Sequence, residues 1–166
     1  MDFIKKHREI IYDIVFVVVL IGILVISRSF ITPITISGHS MDNTLSNGMF
    51  GYSLKIKDDT VLEKGDIVIV KTDEHLIVKR IIALPYETIE CKDNIVYVNG
   101  SPLEENYTSS STNDFDKVSL GENQYFILGD NRQNSKDSRI IGAISREDII
   151  AKGLFVINSS KFGVVK

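Results

Sequence analysis

The strongest hydrophobic pattern in the chain is a run of apolar residues close to its N-terminus. Ile14 to Ile26 has the sequence IVFVVVLIGILVI and contains no polar side chain, and extension from Ile10 to Ser27 adds one carboxylate, Asp13. As an α-helix the extended stretch measures about 27 Å, close to the ~30 Å hydrocarbon core of a bilayer. It is apolar on every side, whereas a helix packed on a soluble core is apolar along one stripe. The pattern therefore predicts a membrane-spanning helix.

The residues that flank this run predict its orientation. Lys5, Lys6 and Arg8 precede it, and basic residues favour the cytoplasmic side of a membrane. A cleaved signal peptide is the alternative, since Ser27-Arg28-Ser29 offers small residues for a cleavage site, but the run is long for one. We expect an uncleaved signal anchor that divides the chain into a cytoplasmic basic tail over 1–9, a transmembrane helix over 10–29 and an extracytoplasmic domain over 30–166.

Beyond the anchor, short apolar or alternating runs are separated by turn signals such as Lys64-Gly65 and Asn99-Gly100, which is typical of a mainly β domain. Glu104–Asp116 is expected to be an exposed loop, and Ser145–Ile150 a short helical turn. We predict an antiparallel, barrel-like β domain preceded by one helix. The predicted strands are Ile34–Ser37, Asp66–Lys71, Leu76–Leu84, Ile89–Cys91, Ile95–Val98 and Gln124–Leu128.

Composition excludes several classes of protein. The 166 residues include 19 basic and 22 acidic side chains, for a net charge of -3, which excludes a strongly basic nucleic-acid-binding protein. One cysteine, Cys91, permits neither a disulfide within the chain nor a zinc site built from cysteine pairs. The histidines, His7, His39 and His75, have no metal-ligand spacing. We therefore expect no nucleic-acid partner and no metal.

Lys79 lies in a strand that is otherwise nearly all apolar. Alternation along Leu76–Leu84 places it on one face with Ile77 and Ile81. Burial disfavours the charged form of lysine and lowers its pKa, and a neutral amine accepts a proton from a hydroxyl. Lysine also protects edge strands from aggregation. The strand alone leaves both interpretations open.

Ser40 follows the first predicted strand directly, in the sequence SGHSMDNTL. Gly38 gives the backbone room to turn, so that the next amides are available to a developing oxyanion; an ordinary Ser/Gly/Asn loop has the same composition. His39 is a poor base for Ser40, because adjacent side chains of an extended chain point to opposite faces. A triad through His75 lacks an evident acidic partner.

Three motifs occur in order along the chain: the Ser40 segment, a strand ending in Lys79-Arg80, and the run YFILGDNRQNSKDSRIIG from Tyr125 to Gly142. Together they resemble the bacterial type I signal peptidases, the membrane-anchored serine-lysine proteases of the S26 family. The resemblance covers most of the chain and is most specific in the Gly-Asp-Asn-Arg…Ser-x-Asp-Ser-Arg stretch. The Lys-Arg pair, in place of a histidine, is similar to the bacterial enzymes and not to those of the endoplasmic reticulum. The short region between the strands is similar to the compact, one-anchor form of Gram-positive bacteria.

The resemblance implies a catalytic dyad for cleaving N-terminal signal peptides from exported preproteins. Ser40 matches the nucleophile, Lys79 the general base, and Ser135 a serine that hydrogen-bonds the lysine amine and orients it. Desolvation together with nearby Arg80 is expected to lower the pKa of Lys79. The residues that match the lining of the pockets for small P1 and P3 side chains are Ile34, Ile36, Met41, Leu45 and Val78.

Two buried ion pairs are also implied. Arg80 with Asp130, and Asp137 with Arg139, are expected to hold the Lys79 strand against the Asp130–Arg139 segment. The implied partners are preproteins with Ala-x-Ala-like cleavage sites and the lipid bilayer, without metal or nucleotide cofactor, in the plasma membrane with the N-terminus cytoplasmic. The oligomeric state is not indicated.

Two positions depart from the family pattern. Asn43 stands where the family usually has proline, and Ala83-Leu-Pro-Tyr-Glu87 replaces Gly-x-Pro-Gly-Asp. These changes suggest an altered substrate range, for example an enzyme dedicated to pilins. One alternative is a non-catalytic partner in pilus or surface-protein assembly that binds signal regions. A self-cleaving serine-lysine regulator is another, but such proteins lack the anchor.

Overall fold

The computed structural model describes residues 2–108, 110–157 and 162–165. The chain forms two compact units, Met1–Ile31 and Thr32–Lys166. The first contains one helix, α1, over Asp2–Phe30, so the helix continues through most of the predicted tail. Within it, Ile10–Phe30 is long and apolar enough to cross a membrane, and its most apolar window is not buried.

The second unit consists mainly of β-strands, which contribute 39% of the structure. A short α-helix, α2, covers Ser138–Ile141, and single 3₁₀ turns cover Arg132–Asn134 and Arg146–Asp148. The strands are β1 (Ile31–Thr35), β2 (Phe50–Lys55), β3 (Ile67–Lys71), β4 (Leu76–Ala83), β5 (Thr88–Lys92), β6 (Ile95–Val98), β7 (Ser101–Pro102), β8 (Phe115–Ser119), β9 (Gln124–Leu128), β10 (Ile144–Ser145), β11 (Ile149–Ile157) and β12 (Phe162–Val165).

The strands form two sheets. The larger one has the order β1-β2-β11-β3-β4-β9-β10, with β12 paired to β11, and it curls into an antiparallel half-barrel. The smaller one has the order β7-β6-β5-β8. The mainly β fold with one N-terminal apolar helix is therefore confirmed. β11 lies between β2 and β3, which makes a strand near the C-terminus central to the large sheet.

Apolar side chains pack in three clusters, and one of them lies under the Ser40 turn. It joins Met41 and Leu45, which are 2% and 0% exposed, to Ile67 of β3 and to Leu154 of β11. A second cluster packs the large sheet against the small one, with Ile82 of β4 and Phe126 of β9 among its members. The turn with the candidate nucleophile is therefore built on a packed core.

Strand prediction was accurate where turn signals bound an apolar run. β6 and β9 have the predicted bounds, and β3 and β4 differ from them by one residue at one end. β1 begins three residues earlier than predicted, directly after α1. The strands that were missed are β2, β7, β8, β10, β11 and β12. β11 contains Gly153 at φ 67° within a register shift between Lys152 and Phe155, and this bulge interrupts the alternation by which a strand is recognised.

Of two predicted irregular segments, one needs correction. Glu104–Asp116 contains no regular element before β8 in its described part, but it is not an exposed loop throughout, because Thr112 is 2% exposed. The short helical turn predicted within Ser145–Ile150 is present as the 3₁₀ turn Arg146–Asp148, after which β11 begins. A bulge between Ile81 and Ala83 also breaks the predicted alternation in β4.

The turn between β4 and β5 carries a strained tyrosine. The Glu87 N–H donates to the Leu84 carbonyl at 3.2 Å, and Tyr86 has φ 67° while its side chain is exposed. A left-handed conformation costs a bulky L-residue about 1–2 kcal/mol, and glycine avoids this cost. Glycine also loses more chain entropy on folding, which offsets about 0.5–1 kcal/mol of the gain. Tyr86→Gly is therefore expected to raise the free energy of unfolding by about 0.5–1 kcal/mol.

Thermal or urea unfolding of the two proteins measures this change, and Tyr86→Ala is the matched control because it removes the aromatic ring but keeps the Cβ. An equal gain for alanine and glycine would assign the effect to the ring instead of the backbone.

Candidate active site

Ser40 and Lys79 are brought together by two different parts of the large sheet. Lys79 is on β4, opposite Val68 of β3, and is 3% exposed. Ser40 is on the turn that follows β1. That turn is anchored at its base, where the Ile36 N–H donates to the Met49 carbonyl at 2.8 Å. Gly38, at φ 98°, donates its N–H to Asn47 Oδ1 at 3.0 Å.

The Lys79 amine donates to the Ser40 hydroxyl, with 2.8 Å between Nζ and Oγ, and to the Val78 carbonyl at 3.0 Å. Burial lowers the pKa of Lys79 from 10.5 to about 8, while the negative charges of Asp137 and Asp130 oppose that change. Loss of solvation is thus the cause of the shift. The expected contribution of Arg80 is not found, since Arg80 is directed at Asp130 and the Gly65 carbonyl. About a tenth of such an amine is neutral at pH 7.

Ser135 lies beside Ser40 but does not bind the lysine. A Cβ built on Gly129 would be 2.5 Å from the Ser40 carbonyl oxygen and would also collide with Ser135 Oγ, so both serines pack against this glycine. The Ser135 hydroxyl is buried, and among the described residues it has no hydrogen-bond partner. The hydrogen bond to Lys79 that the resemblance implies is therefore not formed in this structure.

The segment after β9 holds the backbone of the nucleophile turn. Asn131 donates its N–H to the Ser40 carbonyl at 3.0 Å and its side-chain amide to the His39 carbonyl, also at 3.0 Å. The Ser40 N–H makes no hydrogen bond within the described part of the chain. The backbone of Ser40 is thus held through its carbonyl group, and its N–H can donate to an acceptor outside the described residues, such as a bound substrate.

Both expected ion pairs are present. Arg80 binds Asp130 through two bonds, Nε to Oδ1 at 2.9 Å and Nη2 to Oδ2 at 2.7 Å, and both side chains are almost fully buried. Arg139 binds Asp137 through two bonds of 2.8 Å. Asp137 also accepts the Gly129 N–H at 3.0 Å. Paired geometry of this kind stabilises a buried carboxylate in its charged form.

A third cation connects the loop before β8 to the same segment. Arg132 donates to the Gly129 carbonyl at 2.9 Å and to the Thr112 hydroxyl at 2.5 Å, and it forms an ion pair with Glu105. The ring of Tyr107 lies 4.2 Å from the Arg80 guanidinium. Glu105, Tyr107 and Thr112 therefore pack on the residues that support Lys79, which explains why the described part of this loop is partly buried.

An open groove of about 1000 Å³ contains Ser40 and Lys79. Four of the residues expected to bind substrate line it: Ile34, Ile36, Met41 and Val78. Leu45 is fully buried in the cluster beneath and is not among the lining residues. Direct contact between Leu45 and substrate stays a prediction. In the structure, Leu45 packs in the apolar cluster beneath the Ser40 turn.

Comparison with known proteins identifies the family. The pattern of signal peptidases, peptidase S26, matches residues 7–158. Signal peptidase I S of Bacillus subtilis (strain 168) is 32% identical over 92% of this chain and 91% of its own, and signal peptidase IB of Staphylococcus aureus (strain COL) is 34% identical over 89% of each. The chain belongs to the peptidase S26 family of signal peptidases. It is therefore an enzyme of the signal peptidase type.

A solved structure agrees with this assignment. The crystal structure of a signal peptidase I from Enterococcus faecalis V583 matches with a TM-score of 0.50 and 28% sequence identity, over 60% of this chain and 98% of that one.

His39 and His75 of this signal peptidase take no part in the Ser40–Lys79 contact. His39 pairs with Asp42, with 2.9 Å between Nδ1 and Oδ2, on the outside of the turn. His75 is exposed at the β3–β4 connection, 3.9 Å from Glu74. Both observations agree with the sequence-based view that neither serves as the base for Ser40.

Sequence reasoning missed several residues of the site. Gly129, Asn131 and Arg132 lie inside the GDNR run that was recognised as a motif, but their individual contacts were not predicted. Thr44 belongs to the serine motif, and its hydroxyl donates to Asp130 at 2.5 Å. Tyr107 carried no signal, because it lies in the region expected to be an exposed loop.

Proposed function

We propose that this protein is a membrane-bound serine endopeptidase that removes signal peptides from exported preproteins with Ser40 as nucleophile and Lys79 as general base. The observation that carries the proposal is the 2.8 Å contact between Lys79 Nζ and Ser40 Oγ on a buried amine whose pKa is lowered to about 8. A hydroxyl is a weak nucleophile until a neighbouring base takes its proton.

In the first half of the reaction, neutral Lys79 takes the Ser40 proton as Oγ attacks the carbonyl carbon of the scissile bond. The Ser40 N–H donates to the oxyanion of the tetrahedral intermediate. When the C–N bond breaks, the Lys79 ammonium returns the proton to the leaving amine, which is the new N-terminus of the mature protein. The signal peptide remains as an ester on Ser40.

In the second half, Lys79 takes a proton from water, and the resulting hydroxide attacks the ester carbonyl. The ester bond to Oγ breaks, and Ser40 regains the proton from Lys79. The cycle consumes one water molecule for each peptide bond cleaved, and none of its proposed steps calls for a metal or a nucleotide. Ser135 is proposed to accept a hydrogen bond from the Lys79 ammonium during this cycle; its hydroxyl is buried and has no other partner among the described residues.

The proposed substrates have small residues at P1 and P3, as in Ala-x-Ala sites. Ile34, Ile36, Met41 and Val78 line one groove with the serine and the lysine. Apolar side chains packed on a core leave shallow pockets, which accept small residues and exclude large ones. In the narrower form of this proposal, the enzyme cleaves only a subset of preproteins, such as pilins. The departures from the family pattern at Asn43 and Tyr86 support this narrower substrate range.

The proposed topology places the second unit outside the plasma membrane. Lys5, Lys6 and Arg8 precede the apolar helix, and the positive-inside rule keeps them in the cytoplasm. Enzyme and preprotein then share the plane of the bilayer, which raises the frequency of their encounters. Protease added outside intact protoplasts is expected to cleave a tag at Lys166 and to spare a tag at Met1.

The function is tested by incubating the full chain, in detergent, with a panel of preproteins that includes pilin precursors, followed by N-terminal sequencing of the products. We expect one cut after a small residue that follows the hydrophobic region of the signal peptide. Binding of these preproteins without any cut would favour the non-catalytic partner instead.

The pH dependence of cleavage reports the base. Because neutral Lys79 is the reactive form and its pKa is about 8, kcat/KM is expected to rise about tenfold per pH unit below about pH 8 and to level off above it. The measurement is preprotein cleavage from pH 5.5 to 10. A rise centred near pH 6.5, the ordinary value for histidine, that disappears in His39→Asn would assign the base to His39.

A further inference from the structure

The turn that carries Ser40 has a backbone conformation that proline does not adopt. Asn43, which stands at the usual proline position, has φ 80°, whereas the proline ring fixes φ near -65°. Asparagine is one of the few residues that enter the left-handed region readily. The N–H groups of Thr44 and Leu45 both donate to the Met41 carbonyl, at 3.0 and 2.8 Å, so the turn closes tightly around Asn43.

This conformation directs the next side chain into the protein. The Thr44 hydroxyl donates to Asp130 Oδ2 at 2.5 Å, where Thr44 is 9% and Asp130 0% exposed. The same carboxylate binds Arg80 through two bonds, and Arg80 follows Lys79 on β4. Two successive polar contacts therefore join the turn that carries Ser40 to the strand that carries Lys79.

We propose that Asn43 and Thr44 are positioning residues, because the left-handed backbone at Asn43 places the Thr44 hydroxyl on Asp130 and thereby fixes Ser40 relative to Lys79. This inference rests on the proposed Ser40–Lys79 mechanism. It also explains the departure from the family pattern: this chain holds the turn through asparagine, in a form that excludes proline.

The hydroxyl also affects the charge that faces the lysine. Asp130 and Asp137 are the acidic groups that raise the pKa of Lys79 against the effect of burial. Asp137 is held by Arg139, and Asp130 by Arg80 and Thr44, while Arg132 lies nearby on the Gly129 carbonyl. Removal of the Thr44 donor leaves the Asp130 charge less compensated, and the Lys79 amine then retains its proton to higher pH.

The first test compares Thr44→Val, which has nearly the same shape without the hydroxyl, with Thr44→Ser, which keeps it. In the valine variant we expect kcat to fall about 10- to 100-fold, KM to change little, and the acid limb of the pH profile to move to higher pH. Serine is expected to rescue the rate and the profile. A valine variant with the wild-type kcat and pH profile would overturn the proposal.

The second test installs the family residue. Asn43→Pro is expected to lower kcat about 100-fold, the effect of displacing a catalytic group by roughly 1 Å, whereas Asn43→Gly, which adopts a positive φ freely, rescues most of the loss. Full activity in the proline variant would show that the left-handed turn is not required. If the proline variant does not fold, the comparison of Thr44→Val with Thr44→Ser tests the proposal instead.

A third measurement does not depend on turnover. NMR titration of isotope-labelled lysine amines in the full chain, in detergent, is expected to give a higher pKa for Lys79 in Thr44→Val than in the wild type. If no preprotein is cut but this difference is found, the proposed function fails and the Thr44–Asp130 link stands. If preproteins are cut but the pKa of Lys79 is the same in Thr44→Val and the wild type, the proposed function stands and the Thr44–Asp130 link fails.

Discussion

Ser40→Ala and Lys79→Ala are each expected to abolish preprotein cleavage, with kcat lowered about 10⁴- to 10⁶-fold, while the fold is retained. The reason is the direct contact between Oγ and Nζ: without the hydroxyl no ester forms, and without the amine the hydroxyl loses the base that contacts it. Because Lys79 is 3% exposed, alanine leaves a cavity there, and Lys79→Met is the better match in volume. The measurement is single-turnover cleavage at high enzyme concentration.

Matched controls for these variants lie on the small sheet. Ser119→Ala on β8 and Lys92→Met on β5 change exposed side chains that do not line the groove of Ser40 and Lys79, and both variants are expected to cleave at the wild-type rate. The double variant of Ser40 and Lys79 is expected to lose no more activity than either single variant, because two groups that act in one step are not additive. Normal processing by Lys79→Met would refute the Ser–Lys assignment.

The two halves of the candidate dyad were predictable because each has a local signal. Lys79 interrupts an apolar strand, and Ser40 follows a strand and a glycine. Their contact could be predicted only from the resemblance, because the two residues are 39 positions apart in the sequence. The β1–β2 connection and β4 come together only when the large sheet curls. Local chemistry is readable in sequence, whereas long-range pairing depends on packing.

The support of the site was less predictable for the same reason. Glu105 and Tyr107 lie in a polar segment whose composition is typical of an exposed loop, yet Arg132 and Arg80 bind them. A charged residue can be buried when a residue of another element forms an ion pair with it. The composition of the segment does not identify that partner. β11 was missed for a similar reason: it is held by β2 along one edge, across the Gly153 bulge, and by β3 and β12 along the other, and β2 and β3 are distant from it in the sequence.

Gly129→Ala is expected to cause the largest loss of activity outside the Ser40–Lys79 pair. An added Cβ would be 2.5 Å from the Ser40 carbonyl oxygen, well inside van der Waals contact. Gly129 has no room to retreat, since its N–H is bound by Asp137 at 3.0 Å and its carbonyl by Arg132 at 2.9 Å. The Ser40 carbonyl is held in turn by the Asn131 N–H at 3.0 Å.

One methyl group must therefore displace the nucleophile turn or break these bonds. We expect kcat to fall about 100-fold or more, and the free energy of unfolding to fall by about 1–3 kcal/mol, as for other overpacked sites. Gly121→Ala is the control, because its Cβ would meet only the flexible Gln124 side chain, at 3.2 Å. Preprotein cleavage and thermal unfolding measure both effects. If Gly129→Ala lost stability but kept its kcat, the carbonyl side of Ser40 would not control the position of its hydroxyl, and the hold of Asn131 on that turn would be structural only.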